Sequence, residues 1–508
     1  MIKKKNYTLI VVSSALLAIT SSKAADGTWL GNSNWWSDPA SWVSGQTPDG
    51  VDGIANFTGV NITGNINKSL GGNRTIGNIT FTDTTPTHNL ALLDNILTLD
   101  VSTGSPQINV TNSGRTLTIS STVAGNDGLT KTGAGILSLT NTSNTFTGNI
   151  LVSAGELSVN GVANAATPAT TTLGNTEIVG RTLTVSSGAF LTFANRDSMG
   201  TGGSAPKLKI IANGGTVRTS SAGLHSIGAL ELNGGTLNYA NSAGTNQGFR
   251  ITGDIVVGGT TVSTISGNAL ALNGNRTFTV ADSVAGSGSD LNVTTPIINI
   301  FGTSGIIKAG VGTMTLTSTG NTYTGPTTIN AGTFRVNGNS GTGSAFTVAS
   351  GGTLAGTGTV GSTVAVSGNI APGDTGIGTL NTGSVTWNRG TGTAWQFNLG
   401  DSNASDKLAI TGNFNKGTGS SGSWAFDFMN SSKEGVFTLA TWTTNSGTPF
   451  TAGDLGNFSA TNLGTGVFSG GFSITGNTLQ FTAVPEASNL LIGALVGLGV
   501  FKRRRKNS

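Results

Sequence analysis

Few residues of this 508-residue chain are equipped for chemistry. Cysteine is absent and histidine occurs only at His88 and His225, which excludes thiolate nucleophiles, Cys-built metal sites and most imidazole catalysis. Neither histidine has an obvious acidic or nucleophilic partner nearby in the sequence. Glycan hydrolysis needs two carboxylates held a few ångströms apart. Here the acids are scattered at about one per 24 residues and no Asp-Asp dipeptide occurs, so no acid pair is expected. Asp401-x-Asn403-x-x-Asp406 offers oxygens of the kind Ca²⁺ takes, yet its spacing reads better as a polar turn. Gly356-x-Gly358-x-x-Gly361 spells a dinucleotide fingerprint, but Thr363-Val364-Ala365-Val366 follows as a strand where that fingerprint requires a helix. The chain is therefore expected to be non-enzymatic and to hold no cofactor and no metal.

The elements that would position any site are β. Glycine is 79 of 508 residues, threonine is about 80 and asparagine about 50, and only 9% of residues are charged where about 25% is usual. The calculated basicity sits at the ends. Between Ala25 and Val484 there are 17 cations against 21 acids, a net charge of −4, with no basic stripe, so nucleic acid is not an expected partner.

Self-similarity organises the middle. Residues 129–160 align with 306–337 at a constant offset of 177, with 14 identities in 32 positions. Lys131-x-Gly133-x-Gly135 recurs as Lys308-x-Gly310-x-Gly312, Asn144-Thr145-Phe146-Thr147-Gly148 as Asn321-Thr322-Tyr323-Thr324-Gly325, and Ala154-Gly155 as Ala331-Gly332. Inside each copy the pairs Leu137/Leu139, Ile150/Val152 and Leu157/Val159 alternate with polar residues, the period of a strand with one buried face. Leu137 to Leu157 and Met314 to Phe334 are both 20 residues, about one coil of a parallel β-helix. Gly and Asn serve the turns and Thr the outward strand positions. Similar strands recur in 181–193, 216–237 and 346–366, which extends the solenoid over most of the chain.

These units resemble the autotransporter-associated β-strand repeat, in the Lys-x-Gly-x-Gly segment, the Asn-Thr-aromatic-Thr-Gly segment and the closing Ala-Gly. The resemblance implies a right-handed parallel β-helix of passenger type. The last segment reads as a sorting tail and not as amphipathic barrel strands, so a passenger-like β-helix without self-transport is expected.

Lys3-Lys4-Lys5, the apolar run from Leu9 to Ile19 and small residues up to Ala24 read as a secretory signal cleaved after Ala24. At the other end, Val484-Pro485-Glu486 precedes an uncharged run, Leu490 to Phe501, and then Lys502-Arg503-Arg504-Arg505-Lys506. A helix over 487–501 would be about 22 Å long, with its basic end held on the cytoplasmic side. This tail resembles the PEP-CTERM sorting signal, although Ala487 stands where many members have a second proline. The resemblance implies an exosortase-type enzyme as partner, transient anchorage in the inner membrane, and delivery to the cell surface or matrix. An ordinary membrane anchor is the alternative.

The expected organisation is a signal peptide at 1–24, a Trp-rich N-terminal cap at 25–60, β-helix repeats at 61–385, a C-terminal β region at 386–483 and the sorting tail at 484–508. Trp29, Trp35, Trp36 and Trp42 are read as hiding the solenoid's end, with a sugar-stacking surface as the alternative. Residues 386–483 are read as either a β-sandwich or irregular last coils. The whole reads as all-β, an exported surface or matrix scaffold or adhesin whose expected partner is exopolysaccharide or a neighbouring cell surface. A polysaccharide-degrading or polysaccharide-binding β-helix is the rival.

Overall fold

The computed structural model describes residues 24–485 apart from 32–34, 86, 162–168, 200–205, 242–246, 286–287, 301, 342, 344, 374–375, 389–392, 419–423, 430–432 and 464–467. The signal segment before Ala24, Glu486 and the proposed helix 487–501 lie outside the described residues. Those described form an all-β, right-handed-type parallel β-solenoid. Among them the only helical turns are the 3₁₀ segments Pro39–Ser41, Asp401–Asn403 and Ala452–Asn457. No described helix is long and apolar enough to cross a membrane, which says nothing of crossing by strands.

Alternation builds each strand and stacking builds the core. Asn78–Asp83 buries every second residue, as do Thr116–Ile119 and Thr236–Tyr239. Inward residues then pair with inward residues of the next coil. Leu117, Leu137, Leu157, Leu191, Val217 and Leu237 form one continuous buried column. Each such side chain contributes roughly 1.5–3 kcal/mol of burial. The steps along this column are 20, 20, 34, 26 and 20 residues. A coil is therefore 20 residues at its shortest here, and longer turns are inserted without disturbing the register.

Three faces surround the core. The first two merge into one 29-stranded sheet, because Thr327–Val336 and Phe346–Gly356 run unbroken around the corner between them. The third face is made of separate sheets of three, four and six strands. On the first face, fifteen successive parallel pairings link Ile54–Val60 to Phe414–Lys416. At 4.7–4.9 Å per pairing this is a rise of about 70 Å.

Both ends of the stack are closed. At the first coil the crossing chain bonds all three faces, among others through Trp29 N to Asn56 O (2.8 Å), Trp36 N to Ser69 O (2.7 Å) and Gly50 N to Thr75 O (2.8 Å). Trp29, Trp36 and Trp42 are buried around Phe57, with ring centroids 5.4–5.9 Å from it and planes tilted by 58–67°. At the far end, Thr478–Pro485 turns antiparallel onto Gly435–Thr441 and carries Phe468–Thr475 as its hairpin partner. Residues 386–483 are not a sandwich. Val385–Trp387 pairs in parallel with Phe414–Lys416, Lys407–Ile410 with Gly435–Thr441, and Trp395–Phe397 with Trp424–Phe428, which makes these the last coils. Large aromatics fill their core, in which Trp387 and Trp395 stack with ring centroids 3.6 Å apart.

Candidate functional site

The repeated residues meet at the corner between the first two faces. Lys131 stands next to last in its strand, Leu129–Thr132, with its side chain fully buried, and its Nζ donates to the carbonyls of Thr132 (2.7 Å), Gly133 (2.8 Å) and Ala154 (3.2 Å). Lys308 repeats this, donating to Ala309 (3.0 Å), Gly310 (2.7 Å) and Ala331 (3.0 Å). Three ammonium protons meet three carbonyls, two on the lysine's own turn and one on the coil above. Burial pushes each ammonium down to about 8, opposed by Glu156 at the first and Asp290 at the second.

The glycines make that contact possible. Gly133 and Gly310 both lie at φ +74°, in the left-handed region. Gly155 and Gly332 sit directly above them, where a Cβ would come within 2.4–2.5 Å of the carbonyl oxygens at 133 and 135, or at 310 and 312. Lys131, Gly133 and Gly135, like Lys308, Gly310 and Gly312, thus form a turn that stacks on the Ala-Gly turn of the next coil.

The asparagine segment bridges coils on the third face. Asn144 Oδ1 accepts from Val123 N (2.7 Å) on the coil below, and its Nδ2 donates to Thr172 O (2.9 Å) on the coil above. Asn321 does the same between Ile297 N (2.7 Å) and Asn339 O (2.6 Å). Each buried amide stands in for a peptide group of the missing ladder.

Coil stacking also assembles groups that the sequence keeps apart. Asp52, Asp100 and Asp127 come together on neighbouring coils, and Asp100 shares a side-chain hydrogen bond with Asp127. Burial and the two adjacent carboxylates hold Asp100 above the ordinary carboxylate range. The expectation of no acid pair is thus corrected: the pair is non-local. Two of these carboxylates are engaged with backbone, Asp52 Oδ1 accepting from Ser102 N (2.8 Å) and Asp127 Oδ2 from Val101 N (3.0 Å). No group of three His, Cys, Asp or Glu placed to hold a metal occurs among the described residues.

The other sequence candidates are drawn apart. Asp401 pairs with Lys433 (2.6 Å), Asn403 Oδ1 accepts from Val436 N (3.1 Å), and Asp406 is buried on backbone N–H groups. Gly356 and Gly358 lead into the strand Val364–Val366. His88 Nδ1 lies 2.6 Å from Ile62 O. His225 is caged by Phe193, Tyr239 and Phe249, and burial pushes it down to about 4. Trp29, Trp36 and Trp42 are buried, so they present no planar stacking surface; Trp35 is 57% exposed. Lys68, which the sequence reading did not single out, is a third buried lysine, with Nζ 4.7 Å from the Trp29 ring. Ala24 opens the described chain, and Val484 and Pro485 end its last strand.

Two concavities open on the second face. The first, of about 420 Å³, is lined by Ser153, Glu156, Ser187, Phe190 and Arg218 among others. Arg218 spans two coils there, bonding Glu156 (2.8 Å) and Thr192 (3.0 Å) with its guanidinium 4.0 Å from the Phe190 centroid. The second lies near the far end, between Arg335 and Gln396.

Residues 129–159 and 306–336 match the passenger-associated-transport-repeat. Both matched segments begin at the lysine-bearing strand and end on the strand after the Ala-Gly turn, so each match spans one full coil together with the two strands that stack on its start. A 333-residue stretch, 63% of this chain, is also 29% identical to the adhesin BmaC autotransporter of Brucella suis biovar 1 (strain 1330). That match covers 9% of the relative's length.

Proposed function

We propose that the protein is an exported, non-enzymatic adhesin-like scaffold that holds its polar faces out from the cell surface or in the surrounding matrix. One observation carries this reading: an unbroken solenoid, closed at both ends, built on the passenger-associated repeat and similar over 333 residues to an autotransporter adhesin. A closed rod about 70 Å long presents rows of Thr, Asn and Ser in which adjacent coils bond one another, as in Thr82–Thr111 (2.8 Å), Asn233–Asn213 (2.8 Å) and Asn238–Ser266 (2.8 Å). Such rows suit weak, repeated contacts to exopolysaccharide or to a neighbouring surface.

Export by the segment ending at Ala24 and sorting at Val484-Pro485-Glu486 belong to the same proposal. An exosortase-type enzyme removes the tail after transient anchorage in the inner membrane. Mass spectrometry of the surface-exposed protein is expected to find peptides from the last coils and none from 490–501. Recovery of 490–501 in that fraction would refute the sorting step. Deletion of the gene is expected to lower attachment to a glycan-coated surface; unchanged attachment would refute the adhesin reading.

A further inference from the structure

The first cavity, about 420 Å³, opens at the corner where the Lys131 turn and the Ala-Gly turn stack. The turn 111–115, between Gln107–Val110 and Thr116–Ile119, is longer than the turns 133–135 and 153–155 of the next two coils. Ser113 and Gly114 therefore form a lip beside a floor that carries the Ala134 and Ala154 methyls. Ile136, Glu156 and Phe190 hold one register position on three successive rungs, about 10 Å from first to last at 4.7–4.9 Å per rung. One carboxylate thus stands between two half-buried apolar side chains.

Arg218 is fixed at one end of this row. Its Nη2 donates to Glu156 Oε2 (2.8 Å) and its Nε to Thr192 Oγ1 (3.0 Å), and its guanidinium lies over the Phe190 ring. These bonds use two of the five N–H groups of a guanidinium, and the side chain remains 37% exposed. Glu156 Oε1 takes no hydrogen bond among the described residues and is not sealed from solvent. Neither residue is needed to build the corner. The second copy folds the same lysine turn with Thr313, Thr333 and Thr353 in this row. The acid beside its lysine is Asp290, which is buried and occupied by Ser283 N, Val284 N and Thr313 N at 2.8–3.1 Å.

The first copy therefore carries a surplus at this corner: an open carboxylate oxygen beside open guanidinium N–H groups, held in place by Thr192 and Phe190. Among the described residues Glu156 and Arg218 are the charged groups of the lining, and their charges cancel. A fixed acceptor next to a fixed donor suits two adjacent hydroxyls, each of which can donate to the carboxylate or accept from the guanidinium. Ile136 and the two alanine methyls offer an apolar bed for the C–H face of a pyranose ring, and the volume falls within the usual range of ligand cavities. We infer that this cavity binds a neutral sugar unit of a glycan through a vicinal diol. It rests on the reading of the protein as a surface scaffold facing glycans, and it adds one discrete site to the diffuse contacts along the rod.

Calorimetric titration of the full chain with cellotriose, mannotriose and galactotriose, with their per-O-methyl derivatives and with trigalacturonate tests it. At least one neutral trisaccharide is expected to bind, and its methylated form to bind about tenfold more weakly or worse, the loss of one hydrogen bond to a charged group. Trigalacturonate is expected to bind no better than galactotriose. Arg218→Met, which keeps the methylenes, and Glu156→Thr, the side chain that the folded second corner carries at this place, should each weaken binding by about the same factor with an unchanged melting temperature. If Glu156→Thr lowers the melting temperature, Arg218→Met decides alone. Binding of none of the three, equal affinity for the methylated forms, tighter binding of trigalacturonate, or indifference to Arg218→Met would overturn the site. Attachment of cells carrying the Arg218→Met protein separates the two claims. Absence of glycan binding with attachment intact removes the site alone, whereas wild-type cells that never attach remove the adhesin reading while calorimetry still decides the site.

Discussion

The turns around Lys131 and Lys308 lie 177 residues apart and hold their ammonium groups on equivalent carbonyls, yet the coils that follow them differ. Above the first, the column steps from Leu157 to Leu191; above the second, from Phe334 to Leu354. The 34-residue coil brings in Arg181, buried with no carboxylate partner among the described residues, which lies 4.9 Å from the Phe146 ring and donates to Gly148, Leu173 and Asn175 carbonyls at 2.7–2.9 Å. Burial lowers it to about 10. In the second copy Tyr323 takes the place of Phe146, and its own hydroxyl lies 3.0 Å from Thr327 Oγ1, where the first copy has Ile150. The motif therefore specifies a corner and a bridge between coils, and it leaves the length and chemistry of the remaining turn free.

The largest expected effect falls on what the copies share. Gly155→Val or Gly332→Val combines a positive φ with a Cβ inside backbone contact distance, and should destabilise its coil by about 4 kcal/mol or more. Denaturant unfolding followed by hydrogen exchange at the corner would measure it, and a loss at only one copy would break the equivalence. Next, Lys131→Met and Lys308→Met each deprive three carbonyls of their donor, at about 3 kcal/mol apiece. Unequal midpoint shifts for the two would show that the cradle depends on the coil above it.

Acid should distinguish the region between the copies from the copies themselves. His225 is held at about 4 in the fold against 6.5 when exposed, so the folded state binds fewer protons in that window. Its contribution is complete above pH 6.5 and is lost as pH falls towards 4, by up to about 3 kcal/mol. Exchange should accelerate at Leu224–Ile227 before Ile136–Leu139, and His225→Phe should remove the difference. The smallest effect concerns what the copies do not share. Tyr323→Phe should cost about 1 kcal/mol through the lost hydroxyl contact, and adding Thr327→Ile, which recreates the Phe146/Ile150 pair, should recover most of it in a double-mutant cycle.

Legibility followed sequence separation. The alternation, the 20-residue step and the repeated Lys-Gly turn were readable because strand faces and tight turns are set by residues two to four apart. What Lys131 does was not, since its decisive partner, Ala154 O, is 23 residues on. Asp52, Asp100 and Asp127 illustrate the same limit: only the stacking of coils of unequal length makes them neighbours. The Trp cluster stood out by composition, but which of its rings face inward depends on how the chain crosses the coil end. The depression between Arg335 and Gln396 arises from register, because Ala355 and Ala371 are unremarkable residues until they fall on one line.

The disparity between rise and contour length has a mechanical consequence. A coil adds about 5 Å to the rod but contains at least 20 residues in the matched repeats, which span about 70 Å when drawn out. Under a pull along the axis, peeling off one coil would lengthen the tether by as much as the whole folded stack, while the remaining rungs keep their pairing. A load shared among many such molecules would then be evened out coil by coil, so a cell could shift against its attachment without the contact letting go.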